Sequence, residues 1–229
     1  MDLTQLEKQQ SEWAKKVVIP TEKQTDYQPK SEDLIFSFDI QYQGEEAYIA
    51  ADVQRFDNSQ LGIFVTQLTA TVPYVPQFFC FREAPLLLAL LEKIEAQKNI
   101  KPDFIVIDGH GLAHPRKFGV ACYIGVETQI PTIGCAKETL VQYTGNLGEK
   151  KGESLPIWVE NQLVGSVLRT QDGIKPVFVS AGNLVSLETA QQMILHLTPT
   201  YRISEPLRRA DQAARGFAKG EKGNWIVLN

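Results

Sequence analysis

The chain has 229 residues, 43% of them hydrophobic and 22% charged, with a net charge of -4. That length suits one domain with a sizeable core, and no run approaches the roughly 18 apolar residues of a membrane span. Three scattered cysteines, Cys80, Cys122 and Cys135, argue against a disulfide framework or a zinc knuckle, and the N-terminus lacks a basic-then-apolar signal, so the expectation is a cytoplasmic protein.

Leu3, Leu6, Trp13 and Val17 fall near helical spacing and predict an amphipathic helix over 3–18, joined to the body by the polar stretch TEKQTDYQPKSED. Residues 1–30 are therefore read as a helix and linker attached to a single domain spanning 1–229. LIFSFDIQY, AYIAADVQRF and GIFVTQLTA follow closely, joined by the turn-like QGEE and DNSQ, and read as an antiparallel meander. TVPYVPQFF is too proline-rich for a central strand, and REAPLLLALLEKIEAQK reads as a helix with Pro85 in its opening turn. FIVID suits a strand buried on both faces. A helical crossover to about residue 127 leads to the short strand PTIGCAK, the hairpin PIWVENQLVGSVLRT, the strand KPVFVSAG and the helix SLETAQQMILHL. The tail from residue 200 is basic and helical in part. Three antiparallel strands followed by helix–strand units predict a layered α/β domain.

Three acids carry a candidate site. Asp39 lies mid-strand, on the face opposite Phe38 and Ile40, and Asp108 ends the FIVID strand, where open α/β sheets place their sites. Glu83 opens a helix, where a negative charge is favourable in its own right. Together the three can converge at one edge, and clustered carboxylates repel unless a divalent cation neutralises them. Magnesium, with its preference for oxygen ligands and retained waters, fits such a site and can promote phosphodiester hydrolysis.

In VIDGHGLAHPRKFGVA, Gly109 and Gly111 flank His110 and let backbone approach a ligand closely. His110 and His114 are four residues apart, but Gly111 stands where a zinc protease needs glutamate, and no P-loop motif is present. Lys137 follows the strand TIGCA and can reach a phosphate, or be a solvated surface lysine. Pro73 and Pro76 stiffen a loop that presents Tyr74 as a wedge for a base stack, or as a tyrosine packed on its own loop. Residues 201–222 hold six basic against three acidic side chains, which suits contact with phosphates or a solvated helix face.

TVPYVPQFFCFRE, FIVIDGHGLAHPRKFGVACYIG and IPTIGCAKETL, in this order, together with KKVV near the start and EPLRRAD near the end, resemble the endonuclease V family over nearly the whole chain. The resemblance implies a ribonuclease-H-like mixed sheet, three antiparallel strands followed by parallel ones, with flanking helices. It implies a nuclease using Mg2+, with Mn2+ as a substitute, that hydrolyses the second phosphodiester 3′ to deoxyinosine, the product of adenine deamination. It implies Asp39, Asp108 and Glu83 as metal-binding acids, His114 and Lys137 as catalytic residues, and Tyr74 as the wedge. Gly109, His110, Gly111, Arg116 and Gln77 are expected on the substrate side. Three positions depart from the family pattern. Gln77 stands for the glycine of PGF, Tyr123 for a histidine, and Asn183 for a histidine near the metals, where its carbonyl oxygen can still serve as a ligand. These departures leave two alternatives to a monomeric DNA-repair enzyme: a nuclease for inosine in RNA, and a catalytically weakened nucleic-acid-binding homologue.

Overall fold

The computed structural model describes residues 3–229. The predicted meander forms as β1 (Leu34–Gln43), β2 (Glu46–Arg55) and β3 (Gln60–Thr69), paired antiparallel. Their alternating side chains serve two cores. Ile49, Ala51 and Phe64 point into the main one, while Ala50 and Val65 point to the opposite face. There they meet Ala210, Ala213 and Ala214 of α5 (Glu205–Ala218), the helix of the basic tail. Asp39 is paired across to Ala50 and so shares the α5 face.

β4 (Phe104–Ile107), buried at all four positions as its unbroken apolar run requires, lies parallel to β1 on one side and to β5 (Thr132–Ala136) on the other. The hairpin of β6 (Ser154–Val159) and β7 (Gln162–Leu168) continues into β8 (Val177–Asn183), and β8 joins β5 antiparallel. The parallel centre of the sheet is thus β1, β4 and β5, and the β6–β8 extension is antiparallel. The two-residue β9 (Ile226–Val227) adds a second, short parallel pairing to β3, and the order is β6-β7-β8-β5-β4-β1-β2-β3-β9. β9 has no sequence signal because a two-residue pairing is too short to show alternation.

Three helices complete the layers. α2 (Phe79–Lys98) and α3 (Val120–Thr128) pack on each other and on the sheet, and α4 (Leu187–His196) lies on β7 and β8. α1 (Leu3–Ala14) docks on α3 through Leu6, Trp13 and Ala14, with Trp13 4.6 Å from the Tyr123 ring. Tyr123, one of the three departures, also meets Phe81 and Phe118, so the ring serves as the seat of α1. α2 corrects one expectation. It starts three residues before Arg82, which puts Pro85 in its second turn and Glu83 inside the helix rather than at its opening. Pro85 removes the hydrogen bond to the Phe81 carbonyl, a loss that the burial of Cys80, Phe81, Ala84, Leu86 and Leu87 offsets. No helix among the described residues is long and apolar enough to cross a membrane.

Candidate active site

The register of the parallel strands builds the site. Phe38 pairs with Ile107, and the Asp108 amide donates to the Phe38 carbonyl at 3.1 Å. Asp39 and Asp108 are therefore the next residues along neighbouring strands, on one face and one strand spacing of about 4.8 Å apart. Ile107 pairs with Gly134, and the same parity brings Lys137 to that face. Its ammonium donates to Asp108 Oδ2 at 2.5 Å.

Four acids act on this spot. Burial raises the Asp39 carboxyl well above its ordinary range, Asp108 adds to the rise, and Lys137 opposes it. Burial also raises Glu83, with Asp39 and Asp108 contributing. The fourth is Asp211 on α5, whose charge bears on both Asp39 and Lys137. Sequence reasoning missed this residue. Its signal lies in EPLRRAD, where Asp211 is one helical turn beyond Leu207, at the border of the buried stripe formed by Leu207, Ala210 and Ala214. Burial lowers the Lys137 ammonium and its carboxylate neighbours, Asp108 first, more than restore it, so it is held charged.

The donor set suits a divalent cation. Asp39 Oδ1 accepts the Ile40 amide at 2.7 Å, while Oδ2 is buried with no partner. An orphaned carboxylate oxygen among like charges is what a bound cation would satisfy. Among the described residues no three His, Cys, Asp or Glu side chains form a ready cage. Magnesium does not require one, because it binds through one or two carboxylates and completes its shell with water and substrate phosphate.

Beside the acids opens a cleft of about 360 Å³, lined by Tyr74, Gln77, Phe79, Glu83, Asp108 and Lys137 among others. Tyr74 stands 64% exposed at its rim, edge-on to Phe79 with ring centroids 5.4 Å apart. Burial lowers both histidines to about 4, so they are neutral near pH 7. His114 Nδ1 accepts the Arg116 amide at 3.1 Å, which leaves the proton on Nε2 to be donated to the Gln77 carbonyl at 3.0 Å.

Several expected substrate contacts turn out to be turned inward. Arg116 stacks on Phe78 and donates to Gln77 and Gln10, so its guanidinium is committed to protein. A side chain at Gly111 would run into the Ala181 carbonyl, and one at Gly109 into Val120. The close approach these glycines allow is thus to the chain itself. Asn183 is not in the site. It pairs with Thr132 at the start of β5, roughly 16 Å along the strand from Lys137. Its Oδ1 accepts the Val18 amide at 2.8 Å and its Nδ2 donates to the Gly125 carbonyl at 2.7 Å, so both ends of the amide are engaged away from the acids. Gln10, fully buried on α1, is another residue that sequence reasoning passed over. Its signal is a polar residue in line with Leu6 and Trp13 on the apolar side of α1.

The family model described as Endonuclease V matches residues 12–212. The chain is 43% identical over 177 residues to Endonuclease V of Roseiflexus castenholzii, covering 77% of this chain and 78% of the relative. The crystal structure of Endonuclease V from Streptomyces avermitilis superposes with a TM-score of 0.86 at 34% identity, over 96% of this chain and 94% of the other. Endonuclease V from Ciona intestinalis, solved with a 24mer DNA containing an inosine followed by a ribo-adenosine, superposes with a TM-score of 0.83 at 25% identity over 95% and 98% of the two chains.

Proposed function

The chain belongs to the endonuclease V family of DNA-repair endonucleases, which cleave DNA near deoxyinosine, and from that premise we propose that it hydrolyses the second phosphodiester 3′ to deoxyinosine with magnesium held at Asp39 and Asp108. The observation that carries this reading is the pair of neighbouring carboxylates, Asp39 with one buried, unpartnered oxygen and Asp108 in the wall of a cleft large enough for a nucleobase. Glu83 and Asp211 would add negative charge around the ion from α2 and α5. Magnesium supplies a Lewis acid for the phosphodiester and lowers the pKa of a neighbouring water.

The remaining work belongs to the side chains. The Lys137 ammonium, held charged beside Asp108, stabilises negative charge gathering on the phosphate oxygens. Tyr74 fills the gap left when a base leaves the stack, and the apolar walls around Phe79, Val120 and Leu140 receive the base and exclude water. His114 is a positioning residue, since both its ring nitrogens are engaged and it is neutral near pH 7. Every residue of the set comes from one chain, so the protein acts as a monomer on inosine-containing DNA. The test compares wild type and Asp39→Ala on an oligonucleotide bearing one deoxyinosine, with magnesium and with chelator. Wild type cuts only with magnesium and the variant does not cut. Equal cutting by the two proteins would refute the metal assignment. A second arm places a ribonucleotide after the inosine and measures the preference for RNA at the scissile step.

A further inference from the structure

Gln77 is held in a backbone conformation that side chains other than glycine rarely adopt, with φ at +68°. Such outliers persist where surrounding structure over-determines them, and here three donors from two distant segments do so. The Gln77 carbonyl accepts from His114 Nε2 at 3.0 Å, from Arg116 Nη2 at 2.9 Å and from Gln10 Nε2 at 3.3 Å. The clamp is itself locked. Gln10 is fully buried, donates to the Phe118 carbonyl at 2.7 Å and accepts from Arg116 Nε at 2.5 Å. Arg116 also lies over the Phe78 ring, 4.2 Å from its centre. The side chain is oriented as well. Arg116 Nη1 donates to Gln77 Oε1 at 3.1 Å, and because a guanidinium has donors only, the amide oxygen must face it. The amide nitrogen is thereby left as a free donor on an exposed residue that lines the cleft.

We infer that Gln77 is a specificity-determining residue, its clamped backbone presenting the side-chain NH2 as a donor to the carbonyl at position 6 of a deaminated purine. This deepens the reading of the cleft as the base-receiving site and rests on it. A fixed donor accepts a 6-oxo purine and rejects a 6-amino one, since adenine offers a second donor at that position. Three donors from Gln10, His114 and Arg116 hold the carbonyl, so the donor's position is set before substrate arrives. Gln10 and Arg116 are positioning residues in this scheme, which gives α1 a part in base selection although it lies outside the cleft.

The test uses the full chain with magnesium on two oligonucleotides. One carries deoxyinosine and the other deoxynebularine, the purine that lacks the 6-oxygen and with it the proton on N1. The quantity read is the ratio of kcat/KM for the two. Gln77→Glu keeps the length and an oxygen for Arg116 but removes the NH2, and Gln77→Ala removes the whole amide. Each variant is expected to lower the inosine-to-nebularine ratio about tenfold, the worth of one hydrogen bond of ordinary strength. An unchanged ratio in Gln77→Glu overturns the inference, and because that variant retains the Arg116 contact it decides the matter even if Gln77→Ala does not fold. Wild type that cuts neither oligonucleotide overturns instead the reading of the site on which the inference rests.

Discussion

Asp39 sits among like charges with one buried oxygen unpartnered, so removing its charge should affect folding and catalysis in opposite directions. Asp39→Asn is expected to raise the thermal midpoint of the metal-free protein by a few degrees, because one repelled carboxylate disappears. The same change should lower cleavage about a thousandfold, since several kcal/mol of charge stabilisation depend on the ligand it removes. Calorimetry without magnesium and a single-turnover assay with it read the two effects, and a fall in both would show that Asp39 is a structural residue. Asp39, Asp108 and Lys137 were legible in the sequence because each sits in a strand or one residue beyond its end, where parity can be counted. Asp211 and Gln10 were not, since they come from helices whose rotation about their axes is set by packing. Asn183 misled for a related reason: its place beside Gly182 in the chain says nothing about which end of β5 it faces.

At the scale of elements, α4 is anchored by a residue far from it in the chain. Asp26 accepts the Ser186 amide at 2.9 Å, the Ser186 hydroxyl at 2.6 Å and the Thr189 hydroxyl at 2.6 Å, tying the linker to the first turn of the helix. Burial alone would raise its carboxyl, but the bonds from Ser186 and Thr189 outweigh it and hold the pKa below the ordinary value. A depressed folded-state pKa gives stability that is present above the unfolded value near 4 and lost as pH falls through the folded one. Asp26→Asn is therefore expected to cost less than about 1 kcal/mol at pH 7, solvent screening the partly exposed carboxylate, and the difference from wild type to shrink below pH 4. Urea unfolding at pH 7 and pH 3 measures both, and an equal difference at the two values would contradict the account. α1 offers a second case. Trp13→Ala removes the ring seated on Tyr123 and should cost about 2–3 kcal/mol in the same assay. The polar linker was readable as a linker, but its role in holding α4 was not, because Asp26 meets Ser186 only after the chain has crossed the sheet.

At the scale of the molecule, the sheet from β1 to β8 was legible in its hydrophobic runs, whereas the two-residue edge strand β9 and the surface charge were not. The basic tail suggested a phosphate-binding face, yet most of its cations are spent internally. Arg202 donates to the Lys137 and Pro176 carbonyls, and Arg209 to the buried Asp52. Arg208, Arg215 and Lys219 pair with Glu205, Asp211 and Glu221. With a net charge of -4, the protein should bind undamaged duplex weakly, with Kd above about 1 µM at physiological salt, and fluorescence anisotropy measures this. A nanomolar value would show that the internal pairs open to phosphate. Selectivity then rests on the cleft and its acids. The most direct test is the length of the product released from a 5′-labelled oligonucleotide containing one deoxyinosine, incubated with magnesium. A single product ending at the second phosphodiester 3′ to the inosine, absent with Asp39→Ala, is the predicted result. An uncut strand, or the same product from the Asp39→Ala protein, would contradict it.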